Sequence, residues 1–483
     1  MKINQRPDNA MQNESKHSEI HKPHLPFLVF ICIASALGGL LWGFDAIVIS
    51  GTISSVKLQF ALSPAMEGFF VSSGLLGAVF GSGLSGWLSD KFGRSRNLLL
   101  AAVLMLLSAI GSAWATNIEL LVFARWLGGL GVGISAMVCP LYISEISPTH
   151  LRGRLVTMFQ FAITLGIMIA LFNNYFLHQW AASVADTAAE GSFMQWFVAD
   201  ETWRAMFASE LVPGLFFLVL AALLPESPRW LVKVGRHEQA CKVLNRIFRN
   251  GAKQELETIK QTVAKESATQ TNFLDVFSQK YRKPLIIAML LAAFAQFSGI
   301  NVVFYYGTSM LEDAGLKADG ALSGMAVIGF CNMIFTTIAM AFVDKVGRRK
   351  LLQFGTIGAI ACLAGIGASF NSGANTMLIV LMCAFVAFFA FSLGPIKFIF
   401  ASEIFPTNIR SHAMAIVILT MWATDTIVGQ FTPSLREAVG PAVTFFIFAA
   451  ILVPQIFMVW KWMPETAGRS LEEIEADFHK ADV

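Results

Sequence analysis

The chain carries one nine-residue phrase twice. Ser144 to Arg152 reads Ser-Glu-Ile-Ser-Pro-Thr-His-Leu-Arg, and Ser402 to Arg410 reads Ser-Glu-Ile-Phe-Pro-Thr-Asn-Ile-Arg. A second phrase, Asp90-Lys91-Phe92-Gly93-Arg94, returns as Asp344-Lys345-Val346-Gly347-Arg348, in the same order and at nearly the same offset. Two independent phrases at one spacing mean a duplicated half, so the chain must fold as two like units. In a membrane protein, parallel halves clasp a site between them and rock to expose it to each side in turn. That is the pattern of a transporter.

Composition places the two units in a membrane: 55% of the residues are hydrophobic and only 14% charged. Apolar runs near 27–51, 65–88, 97–116, 119–143, 155–177 and 205–224 fill the first half. Runs near 283–309, 321–343, 351–370, 376–402, 411–433 and 441–462 fill the second. At roughly 20 residues per crossing these are about twelve helices, and lipid, which satisfies no backbone group, requires each to be helical. The expected fold is an all-α membrane protein with twelve transmembrane helices in two six-helix bundles related by a pseudo-two-fold repeat. Lys91, Arg94, Arg96, Arg152, Arg154, Lys345, Arg348, Arg349, Lys350 and Arg410 fall in loops on one side, which the positive-inside rule makes cytoplasmic. The opposite short loops hold little beyond Lys57, Lys317 and Arg436. The expected organisation is a cytoplasmic tail (1–24), a first bundle (25–225), cytoplasmic linker helices (226–280), a second bundle (281–465) and a second tail (466–483). The stretch 1–24 has no signal-cleavage pattern and reads as a disordered tail; the outer connection 178–204 reads as a loop. Five of the six cysteines lie in apolar runs, so no disulfide framework is expected.

Ionisable residues inside apolar runs cost ~2.5–3.5 kcal/mol each on insertion scales and point to function. Asp45 in the first run and Arg125 in the fourth are such residues, opposite in sign, and suggest a pair: a proton-coupling device or a static salt bridge. A neutral polar solute needs uncharged hydrogen-bond partners and, for its C–H surface, an aromatic face. The runs offer amides at Gln160, Gln296, Asn301 and Asn332 and an indole at Trp422. Any one buried amide could instead hold helices together. Lys397 and Asp425 are further charges in consecutive helices. At 1.5 Å per residue they lie roughly 9 and 22 Å in from the cytoplasmic ends, which argues against a direct pair. Either the lysine stem closes the gap and the two pair, or Lys397 snorkels toward the cytoplasm and Asp425 is left for substrate hydroxyls or a second proton. The run Gly128-Gly129-Leu130-Gly131-Val132-Gly133 resembles a phosphate loop but lies within a helix, where it permits close packing.

Several phrases together resemble the sugar porters of the major facilitator superfamily. They are Gly86-x-x-x-Asp90-Lys91-x-Gly93-Arg94, Pro225-Glu226-Ser227-Pro228-Arg229-Trp230-Leu231 and Pro464-Glu465-Thr466-Ala467-Gly468-Arg469. Others are Gly38-Gly39-Leu40-Leu41-Trp42-Gly43-Phe44-Asp45, Arg125-Trp126-Leu127-Gly128-Gly129, and Gln296-Phe297-Ser298-Gly299-Ile300-Asn301 before Tyr305-Tyr306. They run in family order over nearly the whole chain. The resemblance implies that the four amides line a central cavity, and that an aspartate at position 45 goes with proton coupling, since facilitative glucose carriers have asparagine there. It also implies a cytoplasmic gate of Asp90, Arg94, Glu145, Arg152, Glu226, Arg229, Asp344, Arg348, Arg349, Glu403 and Arg410, latching the bundles when the site faces outward. As bare topology anchors the arginines need no such gate, but Glu145 and Glu403 do. The chain departs from the family at Ala295, where a second glutamine is common, at Phe398, where tryptophan is usual, and at Ile167 and Met421, where xylose-type carriers have glutamine. These departures point to a more apolar pocket.

The expectation is a monosaccharide–proton symporter acting as a monomer in a plasma membrane, resembling the bacterial carriers of the cytoplasmic (inner) membrane. Alternatives are a polyol, inositol or sugar-acid carrier, with Lys397 as a cation, or a facilitative uniporter. A non-transporting sugar sensor would carry a long cytoplasmic extension, and this sequence ends soon after Pro464. No nucleotide loop, metal-ligand cluster or nucleophile triad is present, so no enzyme activity, cofactor, metal or nucleic-acid partner is expected.

Overall fold

A computed structural model describes residues 24–148, 151–248, 250–268, 273–372, 375–466 and 469. The first six spans are α1 (Leu25–Val48), α2 (Pro64–Phe92), α3 (Arg94–Ala113), α4 (Ile118–Ile146), α5 (Arg152–Thr187) and α6 (Thr202–Leu223). Three shorter helices follow, on the side that the positive-inside rule makes cytoplasmic: α7 (Pro228–Lys233), α8 (His237–Ile247) and α9 (Ala252–Ala268). In α8, Ala240, Leu244 and Ile247 are buried at helical spacing while the charged residues face away. The second six spans begin with α10 (Gln279–Asp313), α11 (Ala318–Val346), α12 (Arg348–Ser372) and α13 (Asn375–Ile404).

The remaining apolar helix, Ile409–Trp462, is 54 residues long. At 1.5 Å per residue it would reach ~80 Å, far beyond the ~30 Å of a hydrocarbon core. It breaks at Gly440 (φ 83°, ψ 161°), just before Pro441, a conformation that only glycine adopts readily. The two parts are α14 (407–439) and α15 (441–462), which completes twelve crossings.

Lipid tails are as apolar as leucine, so small residues that let backbones approach hold these bundles together. A Cβ on Gly129 would strike the Gly74 carbonyl, and one on Gly133 the Ala78 carbonyl, so the glycine run of α4 is a packing seam against α2. Likewise Gly43 of α1 abuts the Ile163 carbonyl of α5, and Gly166 of α5 the Leu40 carbonyl of α1. Phe216, Phe354 and Phe457 are more than half exposed on the outer faces, where lipid is the solvent.

One connection departs from expectation. The outer stretch 178–204 is not a loop throughout: α5 continues to Thr187, and a π turn occupies Gln195–Asp200. Polarity marks where the chain leaves the membrane, but no glycine or proline between Ile167 and Glu190 stops the helix there.

Candidate transport pathway

Asp45 and Arg125 are each 3% exposed. Arg125 donates from Nη1 to Asp45 Oδ1 at 2.5 Å and from Nη2 to the Asp45 carbonyl at 3.1 Å. Glycines make room for the pair: a Cβ on Gly74 would press the guanidinium, and one on Gly128 would press Ser108 and Asp45. A third group joins them. Glu210 of α6, 1% exposed, interacts with both, and neither of its oxygens finds a donor among the described residues. Two carboxylates against one guanidinium leave an excess negative charge in a low-dielectric site, and one bound proton removes it. The sequence reading passes over Glu210, although it stands inside the run 205–224 and carries the same signal as Asp45.

Between the halves lies a cavity of about 590 Å³, within the usual range for small-molecule sites. Gln160, Gln296, Asn301, Asn332, Phe398, Trp422 and Asp425 all line it, and so does Lys397. The amides stand where helices are interrupted or face each other. α10 breaks at Gly299 (φ 76°) between Gln296 and Asn301, and Asn301 Nδ2 donates to Gln296 Oε1 at 3.2 Å across the break. Trp42 and Trp422 meet from opposite halves with ring centroids 5.3 Å apart. The Trp422 indole N–H, buried, has no acceptor among the described residues. Tyr305, which the sequence marks as part of a family phrase but not as a site residue, donates to Asp425 Oδ2 at 3.1 Å. Of the departures from the family pattern, Ile167 and Met421 line the cavity, whereas Ala295 is buried beside it. Among the described residues no direct ion pair joins Lys397 to Asp425. The lysine ammonium lies 5.2 Å from the Phe398 ring and 5.7 Å from that of Phe389. It is 7% exposed and does not snorkel to the cytoplasmic surface.

At the cytoplasmic end the repeated phrases form matching brackets. Arg94 grips Glu145 with Nε at 3.0 Å and Nη2 at 2.9 Å, and Ser227 donates to the same carboxylate at 2.5 Å. Glu226 accepts from the backbone N–H of Arg94 (2.7 Å), Ser95 (3.2 Å) and Ser227 (2.9 Å), capping α3. Burial pushes the Glu226 carboxyl above its ordinary value of 4.5, against the pull of those N–H groups. Asp90 pairs with Lys233 at 3.0 Å and with Arg94 at 3.5 Å. In the second half Arg348 grips Glu403 at 2.9 Å, and Glu465 caps α12 through the N–H groups of Arg348 (2.8 Å) and Arg349 (3.2 Å). Arg349 also reaches the Trp460 carbonyl. Arg229 sits in the first turn of α7. The side chain of Asp344 lies outside the described residues.

These brackets do not latch the bundles to each other here. Among the described residues each of these pairs stays within its own half, Arg152 is exposed with no side-chain partner, and Arg410 donates to the Phe405 carbonyl at 3.1 Å. The cavity lining runs down to Val156, Thr157, Arg348 and Glu403 at the cytoplasmic ends of their helices, so this side is open.

The outer side is shut by contacts that the sequence reading did not anticipate. Ser50 bonds Thr308 at 3.0 Å, Ser54 donates to Glu312 at 2.6 Å, and Ser72 donates to Gln430 at 2.8 Å, each joining the two halves. Glu67 of α2, wholly buried, meets Lys57 at 2.7 Å and, from the other half, Arg436 at 3.6 Å. Arg436 is anchored by Ser309 at 3.0 Å and Asp313 at 3.7 Å. Lys57 and Arg436, two cations of the short outer loops, thus converge on one carboxylate.

The sequence model of the family described as "Sugar (and other) transporter" matches residues 31–478. The chain is 39% identical over 454 residues to the arabinose-proton symporter of Bacillus subtilis (strain 168), covering 93% of this chain and 94% of that protein. It is 35% identical over 484 residues to the D-xylose-proton symporter of Escherichia coli (strain K12), covering 93% and 95%. A partially occluded inward-open structure of the E. coli xylose transporter XylE matches with a TM-score of 0.79 at 33% identity, over 92% of this chain and 100% of that one. The duplicated brackets, the amide-lined cavity and these likenesses over the whole length place the chain in the sugar porter family of the major facilitator superfamily.

Proposed function

We propose that the protein is a transporter, not an enzyme, importing a monosaccharide together with a proton by alternating access. It acts as a monomer in a bacterial cytoplasmic membrane and needs no cofactor. One observation supports coupling above all: the Asp45–Arg125 pair and the sugar cavity share a wall. Trp42, Ala46, Tyr305 and Trp422 line both the cavity and the small cleft that holds the ion pair. A sugar that packs against Trp42 and Trp422 shifts the two helices that carry them, α1 and α14. α1 also carries Asp45, so sugar occupancy alters the distance between Asp45 and Arg125, and with it the affinity for a proton. Glu210 supplies the second carboxylate and sharpens that response.

The state described is inward-open: the outer cluster around Glu67 holds the halves together, and the cytoplasmic brackets hold each half rigid. In the outward-facing state the outer contacts part, and the cytoplasmic ends of the halves come together. Each contact is worth only a few kcal/mol and can be exchanged for hydration, as a switch requires. Uptake of radiolabelled L-arabinose, D-xylose and D-glucose into proteoliposomes, with and without an inward proton gradient, tests the proposal. Gradient-driven accumulation of at least one of them supports it. Accumulation indifferent to the gradient would make the protein a uniporter, and no uptake of any would remove the sugar assignment.

A further inference from the structure

Lys397 and Asp425 face the same cavity from adjacent helices, α13 and α14, and act on each other electrostatically, yet among the described residues make no direct ion pair. Both are more than nine-tenths buried. The ammonium rests against two phenyl rings and has no hydrogen-bond acceptor among the described residues; Tyr305 donates to Asp425 Oδ2 and the Asn301 amide also acts on that carboxylate, but Oδ1 has no donor in hydrogen-bond geometry among them. A buried charge without a partner is costly, and a pair of opposite unsatisfied charges across a cavity marks a place that a bridging ligand completes. The other charged pair of the lining, Arg348 and Glu403, is already joined. The lining is therefore neutral in sum but polarised, with a donor end at Lys397 and an acceptor end at Asp425.

We infer that Lys397 and Asp425 are the specificity-determining clamp of this carrier, bridged by an uncharged polyhydroxy sugar. One sugar oxygen accepts from the Lys397 ammonium, and a different hydroxyl donates to Asp425 Oδ1. Tyr305 keeps the other carboxylate oxygen occupied and so aims the free one. The neutral sum is the reason to choose an uncharged sugar. A sugar acid gains Lys397 but meets Asp425, and an amino sugar gains Asp425 but meets Lys397, so either charge is opposed across the same cavity. This rests on the sugar-carrier reading above and adds to it the charge class of the substrate and the two residues that set it.

Competition binding to the purified full-length protein in detergent tests the clamp, with D-glucose, D-xylose, L-arabinose, D-glucuronate, D-glucosamine and the monodeoxy derivatives of D-glucose as probes. The unaltered protein should prefer D-glucose to both charged analogues and lose about tenfold or more for at least one deoxy derivative, the effect of a missing charge-assisted hydrogen bond. Asp425→Asn leaves the lysine unopposed and should move the glucuronate-to-glucose preference toward glucuronate by about tenfold. Lys397→Met leaves the carboxylate unopposed and should move the glucosamine-to-glucose preference toward glucosamine by a similar factor. Each variant should also erase the penalty for a different missing hydroxyl. Preferences unchanged in both variants would overturn the clamp, as would rescue of two destabilised single variants by the double variant with selectivity intact. If a variant does not fold, the unaltered protein decides: tighter binding of either charged analogue than of D-glucose overturns the inference, and neutral preference with a deoxy penalty supports it. No binding of any of the three neutral sugars would instead refute the sugar-carrier reading itself, and the clamp with it.

Discussion

At the scale of residues, ionisable or amide groups in apolar runs were the most legible part of the site, because their cost makes them stand out. Asp45, Arg125 and the four amides could be picked from sequence on that ground. Glu210 bears the same mark but lies close to Glu201 and Arg204, which blur it into a helix flank. Glu67 opens its run and reads as an edge residue until Lys57 and Arg436 are seen converging on it. Gln296→Ala and Asn301→Ala should each weaken sugar binding by roughly 1–3 kcal/mol, the cost of an unmatched buried polar group, with a smaller effect on unfolding without sugar. Equal losses of apo stability with sugar affinity unchanged would assign the amides to helix packing. Glu226 gives a second prediction. Its acceptor is a single oxygen, which glutamine retains, so Glu226→Gln should keep the cap on α3, whereas Glu226→Ala should lose about 1–3 kcal/mol in unfolding measurements. The sign of its pH dependence follows from burial. A carboxyl raised in the folded state holds its proton more tightly folded than unfolded, so stability falls as pH rises from the ordinary value of 4.5 through the raised one. Melting curves should therefore show the unaltered protein losing ground to Glu226→Gln over that window, and a gap independent of pH would contradict it.

At the scale of elements, hydropathy located all twelve crossings, since length and apolarity are what the bilayer demands. It did not locate helix ends. α5 runs on to Thr187 because helix termination depends on capping and on glycine or proline, not on leaving the membrane. The break in α10 was legible because Gly299 lies between two amides in a strongly apolar stretch. Its φ of 76° is hostile to other residues, and a Cβ there would run into the Phe448 ring. Gly299→Ala should cost about 1–2 kcal/mol from the backbone alone. It should also slow sugar turnover, because the outer part of α10, which carries the Thr308 and Glu312 contacts of the closed outer side, can no longer swing on that joint. Unchanged melting temperature and turnover would show that the break is not a hinge.

At the scale of the whole molecule, the duplication announced two halves, but no sequence can say which state they adopt. Both states share every residue and differ by only a few kcal/mol. The charged phrases were expected to join the halves only when the site faces outward; in this inward-open state each braces its own half, and the outer cluster does the joining. If Glu67 is the keystone of that closure, Glu67→Gln should raise the outward-facing population several-fold. Cysteines placed in the outer mouth of the cavity should then react faster with a membrane-impermeant maleimide; unchanged labelling would remove Glu67 from the gate. The central claim is that proton and sugar are linked through the wall shared by Asp45 and the cavity. It is tested most directly by measuring accumulation and exchange side by side for Asp45→Asn in proteoliposomes. The account predicts that gradient-driven accumulation is abolished while exchange of labelled for unlabelled sugar at equilibrium is largely retained; an Asn variant that still concentrates sugar on a proton gradient would contradict it.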